Sequence, residues 1–213
     1  MDRVLKMAVF ALIIKPLVLI MLGINLRGRE HLPRTGPAII AANHNSHLDA
    51  LVLMSLFPLH SLHKVRPVAA ADYFLSNRYL AWLSVHCLNV VPFDRSGCAD
   101  KNQLFAGCHQ ALDNGDILIL FPEGSRGAPE KISKIKKGLF YLLKDRPGVP
   151  VTPVVMHGLG RALPKGEALF VPFNCDVIVG APLPELADSV SFTDALSQRF
   201  DALYQYCLTR QGA

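Results

Sequence analysis

Short apolar runs that stop abruptly at polar, glycine- or proline-bearing turns recur along this chain, with stretches of helical spacing between them. Ala38–Ala42, Pro67–Ala71, Leu88–Val91, Ile117–Phe121, Val151–Met156 and Cys175–Val179 read as strands. Tyr79–His86, Asp100–Asp113 and Ile135–Lys144 read as helices, the second stopped by Asn114-Gly115. Near the C-terminus Phe192, Leu196, Phe200, Leu203 and Cys207 keep one apolar helical face. Strands alternating with helices predict a single α/β domain, with a mostly parallel or mixed central sheet flanked by helices. A chain of 213 residues supplies one sizeable core, and no repeat, low-complexity stretch or long polar linker divides it. Ligands of such sheets collect where strands end and loops begin. Polar residues at strand ends are therefore the first candidates for a site.

One strand end stands out. Asn43-His44-Asn45-Ser46-His47-Leu48-Asp49 lies between the apolar runs Ala38–Ala42 and Ala50–Phe57, a strand, a sharp polar turn and a helix. An imidazole and a carboxylate five positions apart at such a junction meet across one helical turn. Asp49 would hold His44 in one tautomer while its free nitrogen takes a proton from a hydroxyl, as acyl transfer to an alcohol requires. Two other readings stay open on these residues alone. Ser46-x-x-Asp49 has the form of a capping box, which gives Asp49 a purely helical role. His44, His47 and Asp49 are also zinc-ligand types, although no further His-x-His or carboxylate cluster follows downstream.

The N-terminus carries a different signal. Met7–Ile24 is almost wholly apolar, preceded by Arg3 and Lys6 and interrupted by Lys15-Pro16. A membrane-spanning helix needs about 20 apolar residues, and a central lysine costs roughly 3 kcal/mol on insertion. Proline adds a kink. Residues 1–26 are thus expected to be a helical segment that associates with a membrane, lying in the interface or entering and returning, with residues 27–213 as the folded domain. No small-residue cleavage site precedes Arg27 and Arg29, which argues against a signal peptide.

Composition fits such a setting. Apolar residues make up 51% and charged residues 18%, and the net charge of +5 suits anionic lipid or a phosphorylated substrate. The same sign would suit nucleic acid, but zinc-finger spacing and basic-aromatic recognition patterns are missing, so no nucleic-acid partner is expected. Cys87, Cys98, Cys108, Cys175 and Cys207 are odd in number and form no C-x-x-C pair, which points to reduced core thiols.

Three further blocks follow the first in order. They are Phe93-Asp94-Arg95-Ser96, then Phe121-Pro122-Glu123-Gly124-Ser125-Arg126-Gly127, then Val151-Thr152-Pro153-Val154-Val155. With the lead-in Arg27-Gly28-Arg29-Glu30-His31-Leu32-Pro33 and Gly36-Pro37-Ala38-Ile39-Ile40, they resemble the motifs of the glycerolipid acyltransferase family, in particular its 1-acyl-glycerol-3-phosphate type. The resemblance runs from about Gly28 to Pro182.

The resemblance implies a membrane-associated O-acyltransferase on the cytoplasmic face of a membrane, the inner membrane in a bacterium. It implies lysophosphatidic acid as acceptor and an acyl thioester, acyl-CoA or acyl carrier protein, as donor, with no cofactor or metal. His44 and Asp49 would be catalytic. Arg95, Glu123, Gly124, Ser125 and Arg126 would bind the acceptor, the guanidinium groups gripping its phosphate. Another lyso-lipid or glycerol 3-phosphate is the alternative acceptor, and a lipid-binding module without catalysis the alternative class. Ser125 is not expected to be a nucleophile, because the G-x-S-x-G elbow needs glycine where Glu123 stands. Lys131, Lys134, Lys136 and Lys137 form a basic run that suits substrate phosphate, a bilayer or an acidic carrier protein, and equally a solvated helix start; the same holds for Lys64 and Arg66. The chain departs from the family at Ala70-Ala71-Asp72-Tyr73-Phe74, where typical members carry a lysine-rich segment.

Overall fold

A computed structural model describes residues 2–16, 18, 22–46, 48–70, 88–93, 101–125, 127, 130–159 and 173–210. Helix α1 (Asp2–Val9) continues into a π-helical stretch (Phe10–Ile14), and strand β1 (Leu22–Arg27) follows. Next come β2 (Ala38–Ala42), α2 (Asp49–Ser55), a 3-10 segment (Leu59–Lys64), β3 (Val65–Ala70) and β4 (Val91–Phe93). The rest is α3 (Lys101–Asp113), β5 (Ile117–Leu120), α4 (Gly138–Lys144), β6 (Val151–His157), β7 (Phe173–Val179) and α5 (Ser189–Tyr204).

The strands form one seven-stranded sheet in the order β1-β7-β6-β2-β5-β3-β4. Among the described residues the β6–β7 pair is antiparallel and the other pairs run parallel. This is the mostly parallel, helix-flanked α/β domain that the alternation predicts. β2 sits at its centre, and every one of its residues is buried. A strand covered on both faces has no place for a polar side chain, which is why Ala38–Ala42 is apolar without interruption. Successive side chains point to opposite faces. Ala38, Ile40 and Ala42 pack with Phe10, Val52 and Leu53 on one face, while Ile39 and Ala41 pack with Leu112, Leu139 and Phe200 on the other.

The structure redraws several sequence-predicted boundaries, and β3 and β7 each begin two residues earlier than expected. Leu22–Arg27, expected as the end of a helical segment reaching residue 26, is an edge strand paired in parallel with β7. Leu22, Ile24 and Leu26 alternate with Gly23, Asn25 and Arg27, the two-residue period of a strand. The strand expected at Leu88–Val91 is instead Val91–Phe93, because Asn89 takes a left-handed conformation (φ 54°) that breaks an extended run. Pro92 is tolerated since β4 is an edge strand. The helix expected from Ile135 begins at Gly138. The backbone before it is committed elsewhere: Ser133 N–H donates to Glu123 and Lys136 N–H to the Pro122 carbonyl. The helix expected at Tyr79–His86 and the departure at residues 71–74 lie outside the described residues.

At the N-terminus the usual orientation of an amphipathic helix is inverted. Lys6 is buried and donates to the carbonyls of Val65 and Leu88, and Lys15 donates to that of Phe57. Val4, Leu12 and Ile13 point outward, 73%, 77% and 60% exposed, while Phe10, Ile14 and Val18 enter the core. Among the described residues no helix is long and apolar enough to cross a membrane.

Candidate active site

β2 and β5 lie side by side in parallel, Ala41 opposite Leu120, so the turns leaving both strands open on one edge of the sheet. β6 flanks β2 on the other side, with Ala42 opposite Val154. The first of these turns carries His44 and the second carries Glu123. Parallel neighbours thus bring together two blocks far apart in sequence.

His44 Nδ1 lies 2.8 Å from Asp49 Oδ2. The same oxygen accepts the backbone N–H groups of Asn45 (2.7 Å) and Ser46 (2.9 Å). One carboxylate therefore holds the imidazole and ties the turn at the start of α2. The contact with His44 and the reach back to the Ser46 amide, half of a capping box, are made by the same oxygen. Ser46 Oγ completes the turn by accepting Leu48 N–H at 3.3 Å. Asp49 is fully buried, and the His44 side chain is 22% exposed, so the imidazole is open to the surface and its partner is sealed from water. Burial pushes the Asp49 carboxyl above the ordinary carboxylate range, opposed by the hydrogen bonds from His44, Ser46 and Asn45. With Nδ1 donating to Asp49, Nε2 is the nitrogen left to accept a proton. Among the described residues Asp49 Oδ1 and Asn45 Oδ1 are buried without a hydrogen-bond partner.

Phe121 opens the third block but is not among the expected site residues. Its ring stacks on the His44 imidazole, centroids 4.1 Å apart and planes 18° from parallel. Asn43 and Asn45 flank His44 in the first block and likewise had no expected role. Asn43 Nδ2 and Asn45 Nδ2 each donate to the Met156 carbonyl at 2.8 Å, and Met156 N–H donates back to Asn43 Oδ1 at 2.7 Å. These bonds pin the His44 turn to the end of β6. The available signal was polar side chains placed where a fully apolar strand ends, because a buried amide there must find a partner.

Glu123 is buried, with one oxygen on His44 N–H (2.7 Å) and the other on Ser133 N–H (2.7 Å). It clasps three segments of backbone. Gly124 follows with φ 73°, a left-handed conformation that favours glycine. Ser125 is exposed. Arg95, Arg126 and His47 lie outside the described residues. Lys64 and Arg66 each reach Asp116 at 3.4 Å, just before β5 begins, at the strand end opposite to His44. Cys108, Cys175 and Cys207 are buried thiols outside any disulfide, and burial pushes them up to about 12. Among the described residues no three His, Cys, Asp or Glu side chains gather where they could hold a metal ion.

Comparison with known proteins bears on what this edge does. The family model described as Acyltransferase matches residues 23–157, more than half of the chain. The 1-acyl-sn-glycerol-3-phosphate acyltransferase alpha of Ovis aries is 29% identical over 162 residues, covering 76% of this chain and 54% of that protein. The chloroplastic 1-acyl-sn-glycerol-3-phosphate acyltransferase LPAT1 of Arabidopsis thaliana is 29% identical over 162 residues, covering 75% and 43%. The chain spans about half the length of these curated relatives. Among solved structures, the 1-acyl-sn-glycerophosphate (LPA) acyltransferase PlsC from Thermotoga maritima shares the fold. Its TM-score is 0.76 at 21% identity, over 95% of this chain and 80% of that one.

Proposed function

Because the chain belongs to the acyltransferase family, we propose that it moves a fatty acyl group from an acyl thioester to the free hydroxyl of lysophosphatidic acid, giving phosphatidic acid. The observation that carries this reading is the His44–Asp49 contact of 2.8 Å beside a half-open imidazole. His44 Nε2 takes the proton of the acceptor hydroxyl as its oxygen attacks the thioester carbonyl. The C–O bond forms, the C–S bond breaks, and the departing thiolate recovers the proton from the imidazolium. Asp49 stabilises that imidazolium and holds the tautomer. Phe121 limits how the ring tilts. The curated relatives carry the matching activity in their names.

Attachment to a membrane is part of the proposal, on the cytoplasmic face and, in a bacterium, at the inner membrane. Its support is the inverted N-terminal helix, which turns Lys6 and Lys15 onto protein carbonyls and Val4, Leu12 and Ile13 outward. Such a helix suits burial in the interfacial plane of a bilayer.

The test is a transfer assay in vesicles with labelled acyl-CoA or acyl carrier protein and a panel of lyso-lipids and glycerol 3-phosphate. Wild type should give phosphatidic acid from lysophosphatidic acid, and folded His44→Ala should lose about 10²- to 10⁴-fold in turnover. Product from a different acceptor alone would move the enzyme to that lipid. Equal turnover by His44→Ala would remove the dyad mechanism.

A further inference from the structure

From the geometry around Gly124 we infer that Lys136 is the residue that selects a phosphorylated acceptor, its ammonium receiving the phosphate monoester of the lyso-lipid at the Glu123–Ser125 turn. This rests on the proposed acyl transfer and adds the group that reads the head group.

A Cβ placed on Gly124 would stand 2.9 Å from Lys136 Nζ, 3.1 Å from its Cδ and 3.3 Å from its Cε. The lysine side chain thus lies across the space that any other residue at 124 would fill. It is held there from the backbone. Lys136 N–H donates to the Pro122 carbonyl at 2.9 Å, and three residues earlier Ser133 N–H donates to Glu123 at 2.7 Å. A Cβ on Gly127 would meet Ser133 Oγ at 2.3 Å, so the two segments stay in close contact farther along. A solvated lysine at a helix start has no such anchoring.

The ammonium is not there to balance Glu123. Both oxygens of that carboxylate are on backbone amides, those of His44 and Ser133. Among the described residues the Lys136 side chain has no hydrogen bond or ion pair, with Glu123 or with any other group. An exposed, pre-placed cation one residue from the carboxylate that holds the His44 amide is suited to a dianionic head group. The sequence has Ala70 as the last residue of β3, followed by Ala71 and Asp72, so that stretch supplies no cation of its own.

The experiment compares wild type, Lys136→Gln, Lys136→Arg and the control Lys144→Gln at the exposed end of α4, with the donor fixed and saturating. The acceptors are lysophosphatidic acid and the uncharged monoacylglycerol of the same chain. We expect Lys136→Gln to raise KM for lysophosphatidic acid about tenfold or more. Its kcat should change far less, and preference for the phosphorylated acceptor should fall by the same factor. Lys136→Arg should recover most of it, and Lys144→Gln should match wild type. Equal losses on both acceptors would make Lys136 a packing residue and overturn the proposal. So would a raised KM for acyl-CoA with acceptor KM unchanged. If wild type acylates no phosphorylated lipid, the acyl-transfer reading fails on its own. Binding of lysophosphatidic acid vesicles to wild type and Lys136→Gln then decides Lys136 separately, and equal binding overturns it.

Discussion

Glu123 Oε1 accepts the backbone N–H of His44 at 2.7 Å, so the imidazole-bearing residue is held from behind by a carboxylate 79 positions away. Its second oxygen holds Ser133. In Glu123→Gln only one oxygen remains, and the new NH2 must face one of the two amide donors. An orphaned buried amide costs about 1–3 kcal/mol. We expect Glu123→Gln to lower the melting temperature and to cut kcat at least about tenfold through loss of His44 positioning. Acceptor KM should move less than kcat. A kcat equal to wild type would separate the His44 amide from turnover.

The Phe121 ring covers one face of the His44 imidazole. Removing it should let the ring leave the plane that Asp49 sets. Phe121→Ala is expected to lose kcat by about one to two orders of magnitude, in the range that misplacement of a reacting group costs. Phe121→Leu, which keeps bulk without a ring, should fall between. Histidine ring-proton NMR gives a second readout, since stacking shifts those resonances and leucine cannot.

Val4, Leu12 and Ile13 are outward-facing on a helix whose other side is in the core. Leu12→Glu with Ile13→Glu should weaken binding to anionic vesicles by about tenfold or more, because the apolar area that would enter the bilayer is replaced by charge of the wrong sign. The melting temperature in detergent-free buffer should hold, as neither residue is buried. Unchanged flotation with vesicles would place the membrane contact elsewhere.

Asp188 caps α5, its Oδ1 accepting the N–H groups of Val190 and Ser191 at 2.9 Å each. The Ser191 side chain and amide hold its carboxyl below the usual carboxylate range. A depressed folded pKa means stability that is present above the unfolded value and lost as pH falls through the folded one. Asn caps nearly as well but does not titrate. Asp188→Asn should therefore melt slightly below wild type at neutral pH, and the gap should close on acidification through the carboxylate range. A gap independent of pH would contradict the assignment.

The central strands were legible because burial on both faces leaves only apolar residues. β2 has the expected bounds, and β5 and β6 differ from theirs by one residue. The His44–Asp49 contact was legible too, since five residues across a turn is a local spacing. What escaped depends on partners remote in sequence. Lys6 and Lys15 look like charges that spoil an apolar helix until Val65, Leu88 and Phe57 supply their carbonyls. Glu123 looks like a substrate ligand until the amides of His44 and Ser133 are seen on its oxygens. Stacking of Phe121 on His44 depends on β2 and β5 lying side by side, which neither segment announces alone.

The clasp between Asn43 and Met156 joins residues 113 positions apart. During synthesis, a chain leaving the ribosome makes His44 and Asp49 early, close enough to meet through the local turn. The Glu123 and Met156 fastenings come only much later. Until β6 has emerged and docked, the imidazole has its acid but no fixed backbone and no completed edge of sheet around it. The complete arrangement around His44 therefore arrives only together with the finished fold.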